Sequence, residues 1–288
     1  MKKFLFLVLI QFLVTIHSTG TASAIDPGVA VGALQVNEKK ITLRHAYAHL
    51  RDNAEGLLDH SKELRVLLTD REVPPDALVG IAFLPVTELA KQGQAQGLLF
   101  EMDPANPNEV VMTLLYPPKE TGQMLIRQTL SVTGKELFND WSYASQRVTG
   151  AIEHRDEGKS SLSEFPAISY SVRFNAQVFD EPPITADLKG KAAHDSPQAR
   201  VLSELAEALS KGDIATARKL SSERASHRSE GILARVKADF LVRQAAEMKK
   251  AIQKIQRVVE RGDHAVAICP GKQWFTLVRE GGEWKADN

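Results

Sequence analysis

The sequence predicts two domains of unlike class: a mainly antiparallel β domain, sandwich or bent sheet, over residues 31–180, and an α+β domain over residues 196–288. Three observations carry this prediction. From Ile168 to Val178 the chain alternates strictly, with Ile168, Tyr170, Val172, Phe174, Ala176 and Val178 on one face and Ser169, Ser171, Arg173, Asn175 and Gln177 on the other. That is the pattern of a strand with one face on a core and one in water. After residue 195 the apolar spacing changes from two to the three-and-four of helices. The closing stretch GDHAVAICPGKQWFTLVREGGEWKAD, residues 262–287, then returns to three short β runs parted by Pro270-Gly271 and Gly281-Gly282, dipeptides that favour tight turns.

The chain opens on a targeting pattern rather than on structure. Lys2 and Lys3 precede an apolar run from Phe4 to Ile16, and Ala22-Ser23-Ala24 has the small-x-small form of a cleavage site. Residues 1–24 therefore read as a secretory signal, and the product as exported, periplasmic or extracellular. The apolar run is short for a bilayer span and no second one follows, so no transmembrane anchor is expected. Cys269 is the only cysteine, which excludes an intrachain disulfide; in its apolar run it reads as buried filler.

Taken in order, Gly32 to Val36 and Lys40 to Leu50 read as strands about the turn Asn37-Glu38, with Ile41, Leu43, His45, Tyr47 and His49 sharing one face. Leu64 to Thr69 is apolar and β-branched, as in a buried strand. Asp76 to Gln92 is the one helix-like stretch of this half, and Pro85 is expected to end or kink it. Gly97 to Met102 and Glu109 to Tyr116 flank the turn cluster PANPN and pair as a hairpin. Met124 to Thr133, Ser142 to His154 and Ala167 to Phe179 bring the total to about eight strands. Residues 181–195, rich in Pro, Gly, Lys and Asp, read as a linker. Ser196-Pro197 then opens a helix as N-cap and first-turn proline, with Val201, Leu202, Leu205, Ala206 and Leu209 as its stripe. Asp213 caps a second helix through Leu220, and Ser229 to Lys250 makes a third with Ile232, Val236 and Phe240 on one stripe. From Ala251 to Val259 the pattern is strand-like again.

A formal net charge of zero hides an asymmetry. Residues 25–195 carry 17 Lys+Arg against 24 Asp+Glu, whereas residues 196–288 carry 17 against 12. Complementarity between the halves, or plain solvation, explains this better than nucleic-acid binding, because no aromatic residues interleave the basic ones. The basic run Lys249, Lys250, Lys254, Arg257 and Arg261 reads as a solvated face, with binding to the acidic first half as the sharper alternative.

The ALSKGD helix end, ARKL, a long third helix and the terminal GDHAVAI and WFTLVREGGEWK together resemble small bacterial domains of the nuclear transport factor 2-like superfamily. The resemblance covers residues 196–287. It implies a bent sheet wrapped around helices to leave a cone-shaped cavity, a pocket rather than an activity. The first half, with ITLRHAYAHL, LRVLLTD and VTGAIEH, is similar to exported bacterial β-rich domains of no assigned activity.

Candidate chemistry is sparse. His45 and His49 sit four apart, about 13 Å at 3.3 Å per residue in a strand, too far to share one zinc ion even with His60 downstream, so no metal is assigned. An enzyme of the resembled superfamily places an Asp or His on the cavity wall, which makes Asp239, Asp263, His264 and Trp274 the pocket candidates. Asp263 after Gly262 serves a turn equally well, and Trp274 serves a core. GxSxG, HExxH, phosphate-cradling glycine loops and CxxC are all absent. The expectation is therefore a non-enzymatic exported binding or scaffolding protein without cofactor. It would hold a small ligand or protein partner in the second domain's cavity, with oligomerisation through an open sheet face left open. The alternative is an envelope enzyme of hydrolase or isomerase type.

Overall fold

The computed structural model describes residues 25–58, 61–79, 84–105, 110–117, 126–130, 138–155, 166–227, 238–271 and 273–287. The expected signal segment, His60 and residues 229–237 of the third helix lie outside the described residues.

Nine strands form the first sheet: β1 (Val29–Val36), β2 (Lys39–Asp52), β3 (Lys62–Thr69), β4 (Gly97–Met102), β5 (Val110–Leu115), β6 (Ile126–Leu130), β7 (Phe138–Ala144), β8 (Arg147–His154) and β9 (Ile168–Asp180). Their order is β6-β5-β4-β3-β2-β1-β9-β8-β7. Neighbours run antiparallel, except where β1 ends and β2 pairs directly with β9 in parallel over Tyr47–Leu50. In a flat sheet β4 and β7, six strands apart, would stand about 29 Å from one another. Yet the rings of Phe100 on β4 and Phe138 on β7 lie 5.6 Å apart, centroid to centroid. The sheet is rolled, and its inner face is its own core. Leu34, Leu43, Val66, Leu98, Phe100, Met112, Val148, Tyr170 and Phe174 are all buried there. Of the two expected forms, sandwich or bent sheet, the bent sheet is present.

The inward residues of β9 are those its alternation names, Ile168 through Val178. Two other expectations are corrected. Where the β1–β2 register steps, between Val29 opposite His45 and Gly32 opposite Leu43, the inward face of β2 also changes over. Ile41 and Leu43 point inward before it and Ala46, Ala48 and Leu50 after it, so Tyr47, His49 and Arg51 face out instead of sharing a side with Ile41. The run Ser142 to His154, expected as one strand, is a hairpin turning at Ser145-Gln146, whose φ values are 52° and 57°. Those are type I′ positions, and Ser-Gln lacks the Asn or Gly that ordinarily announces them.

On the outer face of β3, β4 and β5, the residues Leu67, Leu99 and Leu115 are covered by a 3-10 turn at Pro75–Leu78 and helix α1 (Leu84–Lys91). Pro85 stands in the first turn of α1, where a missing N–H costs nothing, so it starts the helix rather than kinking one.

The second sheet is antiparallel, in the order β10 (Ala186–Lys189), β11 (Arg257–Arg261), β12 (His264–Cys269), β13 (Gln273–Glu280) and β14 (Glu283–Ala286). Residues 186–189 are thus a strand and Lys191–His194 a helical turn, which corrects the linker reading of 181–195. Composition alone missed this because β10 is an edge strand with both faces half in water, where apolar alternation has nothing to enforce it. On one face lie α2 (Pro197–Ser210), α3 (Ile214–Leu220) and α4 (Ala238–Ile252). Ser196 caps α2 by accepting from the Ala199 N–H at 3.2 Å, and Asp213 caps α3 from Thr216 at 3.0 Å. Leu202, Ala206, Ala217, Ile252, Val258, Ala267, Cys269, Leu277 and Trp284 form a separate core between these helices and the sheet. The inward stripe of α4 is Leu241, Ala245, Met248 and Ile252, whereas Phe240, expected inside, is 43% exposed. Overall the chain is α+β and mostly antiparallel β. Among the described residues no helix is long and apolar enough to cross a membrane.

Candidate functional site

The helices do not fill the space above the second sheet. Between α2, α3, the N-terminal half of α4 and β13 is a cavity of about 230 Å³, walled by Leu202, Leu205, Leu209, Leu241, Met248 and Phe275. Arg218 and Ser221 are its polar lining. A wider groove of about 500 Å³ shares Leu209, Met248 and Phe275 with it and continues past Trp274, Gln244 and Glu247. Those three side chains border both hollows. The sheet contributes the small Ala286 to the cavity wall.

The four sequence candidates are not brought together. Trp274 is 40% exposed and lines the outer groove, so it is a wall residue and not the core filler expected. Asp263 lies exposed in the β11–β12 turn, where its carbonyl accepts from the Arg279 N–H at 2.7 Å; this is backbone duty. His264 opens β12 opposite Val278, four residues before Ile268, the partner of Trp274, which places it about 13 Å along the strand. Neither Asp263 nor His264 lines the groove. Asp239 is in the first turn of α4, and its side chain lies outside the described residues. Among the described residues the carboxylate in the lining is Glu247, which accepts from Lys250 Nζ at 2.7 Å. The groove therefore offers, among the described residues, apolar contact and no paired acid and base. Cys269 is buried, and burial pushes its thiol pKa up, which disfavours the reactive thiolate.

A second assembly, unseen in the sequence, lies on the outer face of the first sheet beyond α1. The reversal of β2 puts His49 opposite Arg65 and Arg51 opposite Glu63, while Arg65 pairs across to Glu101 on β4. All five are buried. Arg65 bridges Glu63 at 2.7 Å and donates through Nη1 to the Leu78 carbonyl at 2.9 Å. Glu55 lies between Arg51 at 3.4 Å and Arg261 of β11 at 3.0 Å. Arg261 also donates to Asp52 and to the Pro182 carbonyl, each at 2.6 Å. The Arg257 guanidinium joins Asp187 to the carbonyl of Ala54. Arg261 is thus no part of a solvated face: it is 6% exposed, and the acidic first half is its partner.

Burial, reinforced by Arg65, Arg51 and Arg261, drives the His49 pKa down to about 3, so the ring is neutral. Burial raises that of Glu181, whose Oε2 stands 3.8 Å from Arg51 Nε and 3.9 Å from His49 Nε2. Shifted groups of this kind often mark catalysis, but neither His49 nor Glu181 lines the groove. Their geometry serves contact between the two sheets.

No family model, known protein or solved structure matches this chain in sequence or structure comparison.

Proposed function

We propose that this is an exported binding protein in which a rolled β domain carries a cone-shaped, nuclear transport factor 2-like module that takes an elongated apolar ligand. The observation that carries the reading is the depression over the second sheet, walled by Leu202, Leu205, Leu209, Met248 and Phe275 and, among the described residues, without a histidine or an unpaired carboxylate in its lining. Pockets of a few hundred Å³ with apolar walls and few polar groups suit small ligands. The signal-like residues 1–24 support export.

The test is titration of the chain lacking residues 1–24 with a fluorescent long-chain acyl probe, alongside Met248→Trp, which fills the junction of cavity and groove. Saturable binding of one probe per chain, lost in Met248→Trp with the melting temperature kept within a few degrees, is the expected result. Equal binding by the filled variant, or none by the parent, removes the reading.

A further inference from the structure

A third depression, of about 230 Å³, opens on the first sheet among Ile25, Asp140, Thr149, Arg173 and Asn175. Asn175 belongs to the face of β9 that alternation assigns to water, yet it is 9% exposed. Its amide orientation is set, because Nδ2 donates to the Ile25 carbonyl at 2.6 Å. Oδ1 is therefore the acceptor end, and it is buried without a hydrogen-bond partner. Such an atom is costly to bury unless something donates to it. The Asn175 carbonyl also accepts from the Gly28 N–H at 2.7 Å, so residues 25–28 are held along β9 from two points. Across the pocket Asp140 sits at φ 55° where the β7–β8 register slips, a bulge that re-aims its side chain. A buried acceptor, a carboxylate and the first residue after the Ala-Ser-Ala site thus meet in one place.

We propose that this pocket receives the chain's own amino terminus: after removal of residues 1–24, the Ile25 ammonium donates to Asn175 Oδ1 and pairs with the Asp140 carboxylate. Hydrolysis of the Ala24–Ile25 amide by water leaves a carboxylate on Ala24 and an ammonium on Ile25. The single neutral N–H of the uncleaved chain becomes a charged group with three donors. Capture of a terminal amine by convergent acceptors is a known recognition mode, and here it ties processing to the mature fold. The proposal rests on the export reading and is independent of the apolar groove.

Two measurements separate processing from docking. The intact mass of chain secreted with its own leader reads the start site; Ile25 is expected, and any other start overturns the proposal. Chains released from a fusion so that they begin at Ile25 or at Ala24 then report docking. The Ile25 chain is expected to melt about 3 °C or more above the Ala24 chain at pH 7. That gap closes in Asn175→Leu and in Asp140→Asn. In the Ile25 chain the α-amine reacts with an acylating reagent at pH 7 at least tenfold more slowly than in a chain extended by Gly-Ser-Gly. Equal melting of the two starts, or an α-amine acylated as fast as in the extended chain, overturns docking even where a variant fails to fold.

Discussion

His49 shows how a single side chain acquires its character from what surrounds it. In the unfolded chain it takes a proton near pH 6.5; in the fold, burial and three arginines refuse that proton until about pH 3. A base with a depressed folded pKa contributes stability that is complete above 6.5 and is lost as pH falls towards 3, on the order of 5 kcal/mol at full extent. Glu181 opposes it, since its raised folded pKa means that falling pH relieves the cost of its buried charge. Urea midpoints taken from pH 7 to pH 4 should fall less steeply in His49→Leu than in the parent, and more steeply in Glu181→Gln. Parallel slopes would refute the assignment. In the sequence His49 is visible only as a histidine four residues after His45. Its role depends on the change of inward face along β2 at the β1–β2 register step, which no local pattern announces.

At the scale of elements, close packing between strands decides what a glycine is for. Gly97 starts β4 opposite Thr69 and Leu115, and a Cβ built there would stand 1.9 Å from the Leu68 carbonyl oxygen. Backbone has to move to admit it, so Gly97→Ala should cost roughly 2–4 kcal/mol, seen as a lower urea midpoint at unchanged slope. A cost under about 0.5 kcal/mol would show that β4 can shift freely. Elements of this kind were the most legible part of the chain. The alternation of β9, the Ser196-Pro197 start of α2, the Asp213 cap and the closing strands at residues 264–286 all follow from side-chain period and hydrogen-bonding chemistry. The Ser145-Gln146 turn and strand β10 were not legible, because their conformations are imposed by neighbouring strands.

For the whole molecule, the question is what joins two sheets with separate cores. Arg261 reaches from β11 to Asp52, Glu55 and the Pro182 carbonyl, and Glu55 in turn holds Arg51. Removing one partner of a buried ion pair leaves an uncompensated charge, typically 3–5 kcal/mol, so Arg261→Met should be far more damaging than a surface change. Calorimetry should resolve the variant into two transitions where the parent shows one, since each core persists but their connection is lost. A single transition shifted by less than a degree would mean that the cluster does not couple them. Arg257, partly exposed and paired to Asp187 and the Ala54 carbonyl, should matter less when changed to Met.

By itself the sequence determined the strand β9, the starts of α2 and α3, the closing strands, where the periodicity changes, and that the halves carry opposite charge, because those properties are local and repeat along the chain. Tertiary structure alone decided that the first sheet rolls upon itself, that Arg261 is buried against Glu55, and that Trp274 lines a groove while Asp263 and His264 do not. Burial, dielectric and cavity shape arise from residues far apart in sequence, and a pattern read along one strand carries no record of what packs across it.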